Sequence, residues 1–138
     1  MKLTEHFTKE EMTHSAAAVA HGYDNTPSAI ELNNLRTLCE KVLEPAREKL
    51  NRPLIINSGY RSEAVNRLVG GVPNSWHRYG QAADIHVTSK KEADEIAFAC
   101  LEQELCDKCI YEKKGESRWL HVQWGYNARH AYSSIIKP

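Results

Sequence analysis

Ser75-Trp76-His77-Arg78-Tyr79-Gly80-Gln81-Ala82-Ala83-Asp84 joins a loop histidine to the entry of a strand. From Ala82 to Val87 polar and apolar residues alternate, which predicts a strand with Asp84 and His86 on one face and Ala83, Ile85 and Val87 on the other. The apolar face belongs to the core, so Asp84 is left on a face available for chemistry. A second histidine, His121 in Trp119-Leu120-His121, falls in another predicted strand. If the two strands are neighbours, His77, Asp84 and His121 converge on one side of the sheet. Two imidazoles and a carboxylate suit zinc, and three protein ligands leave the fourth position open, as in catalytic rather than structural sites. The same residues also have ordinary uses, as a surface loop histidine, a turn or cap aspartate and a hydrogen-bonded strand histidine, in a chain with seven histidines.

Upstream of this stretch, Leu54-Ile55-Ile56 reads as a short buried strand that delivers Ser58-Gly59-Tyr60-Arg61 to its end, where site residues often sit. A short helix from about Ser62 to Leu68 is predicted to stop at Gly70-Gly71. Nearer the N-terminus, Thr8-Lys9-Glu10-Glu11 has the form of a capping box, opening a helix that runs into the alanines near residues 16–20. Ser28-Ala29-Ile30-Glu31 repeats the pattern before a helical stripe of Leu32, Leu35, Cys39, Val42, Ala46 and Leu50, in which Pro45 is expected to kink or end the helix. Downstream, Ser89-Lys90-Lys91-Glu92 opens a third such helix. Two strands, 108–112 and 118–124, follow around a turn at Lys113-Lys114-Gly115, with an edge strand near Ser133 to Ile136.

With 138 residues, 41% hydrophobic and 26% charged, one domain spanning 1–138 is expected, acting as a monomer. The formal net charge of zero argues against nucleic acid or an anionic membrane surface as partner. No apolar run approaches the length of a membrane span, and Met1-Lys2-Leu3-Thr4-Glu5-His6 opens no signal peptide, so a cytoplasmic chain is expected as synthesised. Cys39, Cys100, Cys106 and Cys109 form no secreted-type framework. Cys106-Asp107-Lys108-Cys109 spells CxxC but lacks a second pair, and two packed thiols are the simpler expectation.

Ser75-x-His77-x-x-Gly80-x-Ala82-x-Asp84, with Ser58-Gly59-Tyr60-Arg61 before it and Trp119-x-His121 after it, resembles the peptidase M15 family of zinc D-Ala-D-Ala peptidases, especially short phage and prophage cell-wall lysis members. His6-Phe7-Thr8-Lys9-Glu10-Glu11-Met12, Asp24-Asn25-Thr26-Pro27 and Val69-Gly70-Gly71-Val72-Pro73-Asn74-Ser75 extend the likeness over roughly residues 4–125. The resemblance implies an α+β fold of hedgehog/DD-peptidase type, an antiparallel sheet with helices on one face. It makes His77, Asp84 and His121 the Zn2+ ligands and gives Arg61 the substrate carbonyl or developing oxyanion, a task suited to a permanently charged, forked donor. Ser75 is expected to bind substrate or to cap its loop, and Arg61 otherwise to form a structural ion pair.

Such chemistry needs a general base. Two glutamates compete, Glu112 at a strand end and Glu116 at a turn tip, and the more rigid placement favours Glu112. Arg118 occupies the place of the acid in the family's alternative Glu-x-x-His arrangement. His86 is a candidate to line the site, Trp76, Trp119 and Trp124 are candidate walls, and His6, His14, His21 and His130 are read as surface. The function implied is a zinc metallopeptidase cutting a peptide bond in peptidoglycan stem or cross-link peptides, as carboxypeptidase or as endolysin-type endopeptidase reaching the wall through a phage holin pore. The alternatives are a zinc-bearing cell-wall peptide-binding module without turnover, or a domain whose histidines are incidental.

Overall fold

The computed structural model describes residues 1–138, and its helices begin where side chains satisfy free amides. Thr8 Oγ1 accepts from the Glu11 amide while the Glu11 carboxylate accepts from the Thr8 amide, a complete capping box that starts α1 (Lys9–Thr13). The alanine run does not extend this helix, because Ser15 takes the Ala18 amide and starts α2 (Ala16–His21) afresh. Ser28 caps α3 (Ala29–Leu38), which passes through a π turn (Cys39–Leu43) into α4 (Glu44–Leu50). Pro45 lies in the first turn of α4 and does not stop the chain's winding. Instead the wider turn, closed by Glu44 N–H donating to the Cys39 carbonyl, takes up the misfit between its ring and the preceding turn.

β1 (Ile56–Ser58) is shorter and later than the apolar run implies, leaving Leu54 buried but Ile55 exposed. Ser62 caps α5 (Glu63–Leu68), and a 3-10 turn (Trp76–Tyr79) leads into β2 (Ala82–His86). Ser89 caps α6 (Lys90–Leu101), although the Glu92 carboxylate reaches back to the Thr88 amide rather than to that of Ser89. β3 (Cys106–Lys114), β4 (Ser117–Trp124) and β5 (Ala131–Lys137) complete the chain. The hairpin turn is the two residues Gly115 and Glu116, since Lys114 still pairs with Ser117.

The five strands form one sheet in the order β1-β2-β4-β3-β5. All neighbours are antiparallel except β3 and β5, so the sheet is mixed where a purely antiparallel one was expected. The reason lies in the free edges. β4 ends beside the start of β3, and its other side is already paired with β2. The short connection 125–130 therefore crosses the start of β3 and lays β5 on that strand's open edge, in the same direction.

One sheet face packs on the helices. Ala83, Ile85, Cys109, Tyr111, Leu120 and Val122 join Leu35, Leu38, Val42, Leu43, Ile96 and Ala97 in a core of 25 buried residues. All four cysteines are buried and unpaired. Cys106 and Cys109 place their sulfurs 3.8 Å apart within this core, and Cys100, Cys106 and burial together push the Cys109 thiol well above the usual range. These are packed thiols. No helix is long and apolar enough to cross a membrane.

Candidate metal centre

The opposite sheet face carries the polar residues. Asp84 on β2 lies directly across from His121 on β4, and Ile110 on β3 flanks His121 from the other side. His77 arrives from the 3-10 turn, whose geometry two residues define. Ser75 Oγ accepts from the His77 amide at its start, and Gly80 closes it at φ 74, where a Cβ would stand 2.3 Å from the Glu31 carbonyl oxygen.

Asp84 Oδ1 lies 3.2 Å from His77 Nε2 and 3.2 Å from His121 Nδ1. The three donor atoms are mutually within 4.8 Å. Donors about 2.0–2.1 Å from a tetrahedral zinc ion lie about 3.3 Å apart, so both separations fit one ion. The second carboxylate oxygen, Asp84 Oδ2, accepts from Arg61 Nη2 at 3.3 Å. His77 donates its Nδ1–H to the Gly59 carbonyl oxygen at 2.8 Å, which leaves Nε2 as the lone-pair nitrogen facing Asp84. Gly59 itself admits no side chain, since a Cβ there would meet the Met12 carbonyl oxygen at 2.2 Å.

Electrostatics follow the same pairing. Burial opposes charge on Asp84, yet His77 and His121 hold its carboxyl well below the usual carboxylate range. Burial is likewise the largest influence on His121 and opposes its protonation, but the hydrogen bond and charge of Asp84, the hydrogen bond to Gln123 and the charge of Glu112 together outweigh it and raise its pKa. Two imidazoles and one hard oxygen, held without intervening bulk, form a donor set suited to zinc.

Above these residues opens a cavity of about 700 Å³. Arg61, Ser75, Trp76, Glu112 and Trp119 line it, as does His14, which the sequence places merely at the surface. Glu112 Oε2 accepts from the Trp119 indole N–H at 2.9 Å across the β3–β4 pair. Glu116 sits exposed at the hairpin tip, outside the cavity. His86 is exposed and does not line it either, because β2 ends there. Trp124 is no wall: its ring is buried in the core and its Nε1–H donates to the Asn34 carbonyl oxygen. His6 is engaged as well, 2.6 Å from the buried Glu44.

A family model for peptidase M15 matches residues 5–123, most of the chain. The chain belongs to the peptidase M15 family. It is also 45% identical over 40 residues to the zinc D-Ala-D-Ala carboxypeptidase of Streptomyces albus G. That match covers 29% of this chain and 16% of that enzyme.

As an M15 member the chain has polar supports that its sequence does not announce. Asn66, buried, accepts from Arg61 Nη1 through Oδ1 and donates to the Val72 carbonyl oxygen, tying α5 to the loop before Ser75. Arg61 Nε–H donates to Ser58 Oγ, so Ser58, Asn66 and Asp84 together fix the guanidinium plane. Asn25 bonds to the carbonyls of Thr13 and Tyr60 and to the Ser62 amide, joining α1 to the entry of α5. Gln123 and Asp107, both buried, stand behind His121. Single Asn and Gln residues have no spacing signature. Only their position beside a charged group marks them.

Proposed function

We propose that this M15 member is a zinc metallopeptidase that hydrolyses a peptide bond in peptidoglycan stem or cross-link peptides. The observation that carries the reading is the convergence of His77 Nε2, Asp84 Oδ1 and His121 Nδ1 at the base of an open cavity with one carboxylate, Glu112, on its wall. Zinc bound there would supply Lewis-acid polarisation of a substrate carbonyl and a water made acidic near neutral pH.

The chain's own residues do the rest. Glu112 keeps Oε1 free while the Trp119 indole holds Oε2, a posture from which it takes a proton from water and returns it to the leaving amine. Arg61 spends three of its five N–H groups on Ser58, Asn66 and Asp84, and the remaining two bind the carbonyl oxygen of the substrate as charge develops on it. Ser75, whose Oγ already accepts from the His77 amide, retains its hydroxyl proton as a donor to the substrate backbone. The zinc D-Ala-D-Ala carboxypeptidase supplies the substrate class by its name.

A second reading, peptide binding without turnover, draws on Arg118. It occupies the place of the acid in the Glu-x-x-His arrangement and donates to the Tyr111 hydroxyl, so that position offers no proton acceptor. Zinc-loaded protein incubated with peptidoglycan fragments, with products weighed by mass spectrometry, separates the two. Release of D-alanine or of a stem fragment, abolished in Glu112→Gln and retained in Glu116→Gln, is expected. Full zinc loading with no released product would establish the binding module instead.

A further inference from the structure

Behind His121 runs a buried polar chain that ends at the surface. Gln123 Oε1 lies 2.7 Å from His121 Nε2, and Gln123 Nε2 donates to Asp107 Oδ2 at 2.8 Å. Asp107 in turn accepts from the backbone amide of Arg129 at 2.9 Å, from its Nε at 3.0 Å and from its Nη2 at 2.9 Å. Gln123 and the Asp107 side chain are each only 4% exposed, whereas the Arg129 side chain is 60% exposed. Neither Gln123, Asp107 nor Arg129 has a part in the reaction described above.

The direction of every hydrogen bond in this chain is forced from the Arg129 end. Arg129 can only donate, so Asp107 faces it as a carboxylate, an acceptor at both oxygens. Asp107 Oδ2 therefore meets the NH2 side of the Gln123 amide, which turns Oε1 toward the imidazole. An amide oxygen cannot donate, so His121 must carry its proton on Nε2. In the neutral imidazole that metal ligation requires, the lone pair is then on Nδ1, the nitrogen 3.2 Å from Asp84 Oδ1.

We propose that Gln123, oriented by Asp107 and Arg129, is the positioning residue that holds His121 in the tautomer and ring orientation needed to ligate metal through Nδ1. This assignment rests on the reading of His77, Asp84 and His121 as a zinc site. It gives the segment after β4 a task beyond closing the fold: Arg129, from the connection that carries the chain to β5, anchors one metal ligand through two buried side chains. His77 needs no such chain, because a backbone carbonyl sets its tautomer directly.

The test is zinc affinity by chelator competition, alongside ring-nitrogen NMR of isotope-labelled histidine in zinc-loaded protein and thermal melts of the metal-free form. Gln123→Leu is expected to weaken zinc binding by about 10–100-fold. The double variant Gln123→Glu with Asp107→Asn exchanges the amide and carboxylate, keeps an acceptor against Nε2–H, and is expected to recover most of that loss. Arg129→Ala, at an exposed side chain, is expected to fold normally and to weaken binding by a smaller factor. In wild-type protein the metallated nitrogen of His121 should be Nδ1.

Zinc affinity of Gln123→Leu within about threefold of wild type overturns the proposal, as does metallation of His121 through Nε2. If Gln123→Leu does not fold, unchanged affinity in Arg129→Ala overturns it. A wild-type protein that takes up no zinc overturns the metal-site reading itself, a result distinct from equal binding by wild type and variants.

Discussion

At the scale of single residues, the centre is defined by which atom of each side chain is already engaged. Asp84 divides its oxygens between the histidines and Arg61, and each imidazole has one nitrogen engaged in a hydrogen bond outside the donor set. His77→Ala or His121→Ala is therefore expected to abolish stoichiometric zinc in metal analysis while the metal-free fold persists. Asp107 offers a separate check by pH. Hydrogen bonds from Arg129 lower its pKa to about 2 against the effect of burial, with Gln123 adding to the shift. Because the folded value lies below the unfolded one, its contribution is full above about pH 4 and is lost as pH falls through about 2. That contribution is roughly 2 kcal/mol. Denaturant unfolding of metal-free protein between pH 5 and pH 2 should show a flatter stability profile for Asp107→Asn than for wild type.

Elements matter here through where they stop. The 3-10 turn presents His77 because Ser75 opens it and Gly80 closes it in the left-handed region against the Glu31 backbone. Gly80→Ala adds both a strained φ and a collision with backbone, so a loss above about 2 kcal/mol is expected in thermal or denaturant melts. It should also weaken zinc binding, since the turn carries a ligand. β3 and β4 set the other half of the site by register: opposing Ile110 to His121 and Glu112 to Trp119 puts the carboxylate on the cavity wall. Glu112→Gln keeps an acceptor for the Trp119 indole and is expected to leave zinc binding and stability nearly unchanged. Its turnover should fall by about 100-fold or more, the usual scale for a general base.

For the whole molecule, helices on one sheet face and a cavity on the other divide stability from chemistry. The core includes none of His77, Asp84 and His121, so the metal-free protein is expected to fold, and zinc to add stability by mass action. At a free zinc concentration 100 times the dissociation constant the gain is about 2.7 kcal/mol. For a chain of this size that corresponds to a rise of roughly 5–10 °C in the thermal midpoint, reversed by a chelator. Unchanged melting with and without zinc would speak against the metal site and for the histidines as incidental strand and loop residues.

Much of this was legible along the chain because it depends on local rules. Caps at Thr8, Ser28 and Ser89 and the helix start at Ser62 are marked in the sequence, and the alternation at 82–87 places Asp84 opposite the core, since both follow from backbone geometry within a few residues. The cap at Ser15, which splits the first helix from the alanines, is not among those starts. The family was legible because short motifs surround His77, Asp84 and His121, among them Ser58-Gly59-Tyr60-Arg61, the loop Val69–Ser75 and Trp119-x-His121, and not because of the spacing of the three residues alone. What needed the tertiary structure is everything that depends on a neighbour distant in sequence. Strand order brought Asp84 beside His121, free edges made β5 parallel to β3, and cavity shape separated Glu112 from Glu116 and His86. The supports Asn66, Gln123, Asp107 and Arg129 belong to that second class, because a lone amide or ion pair acquires its direction only from the groups the fold sets against it.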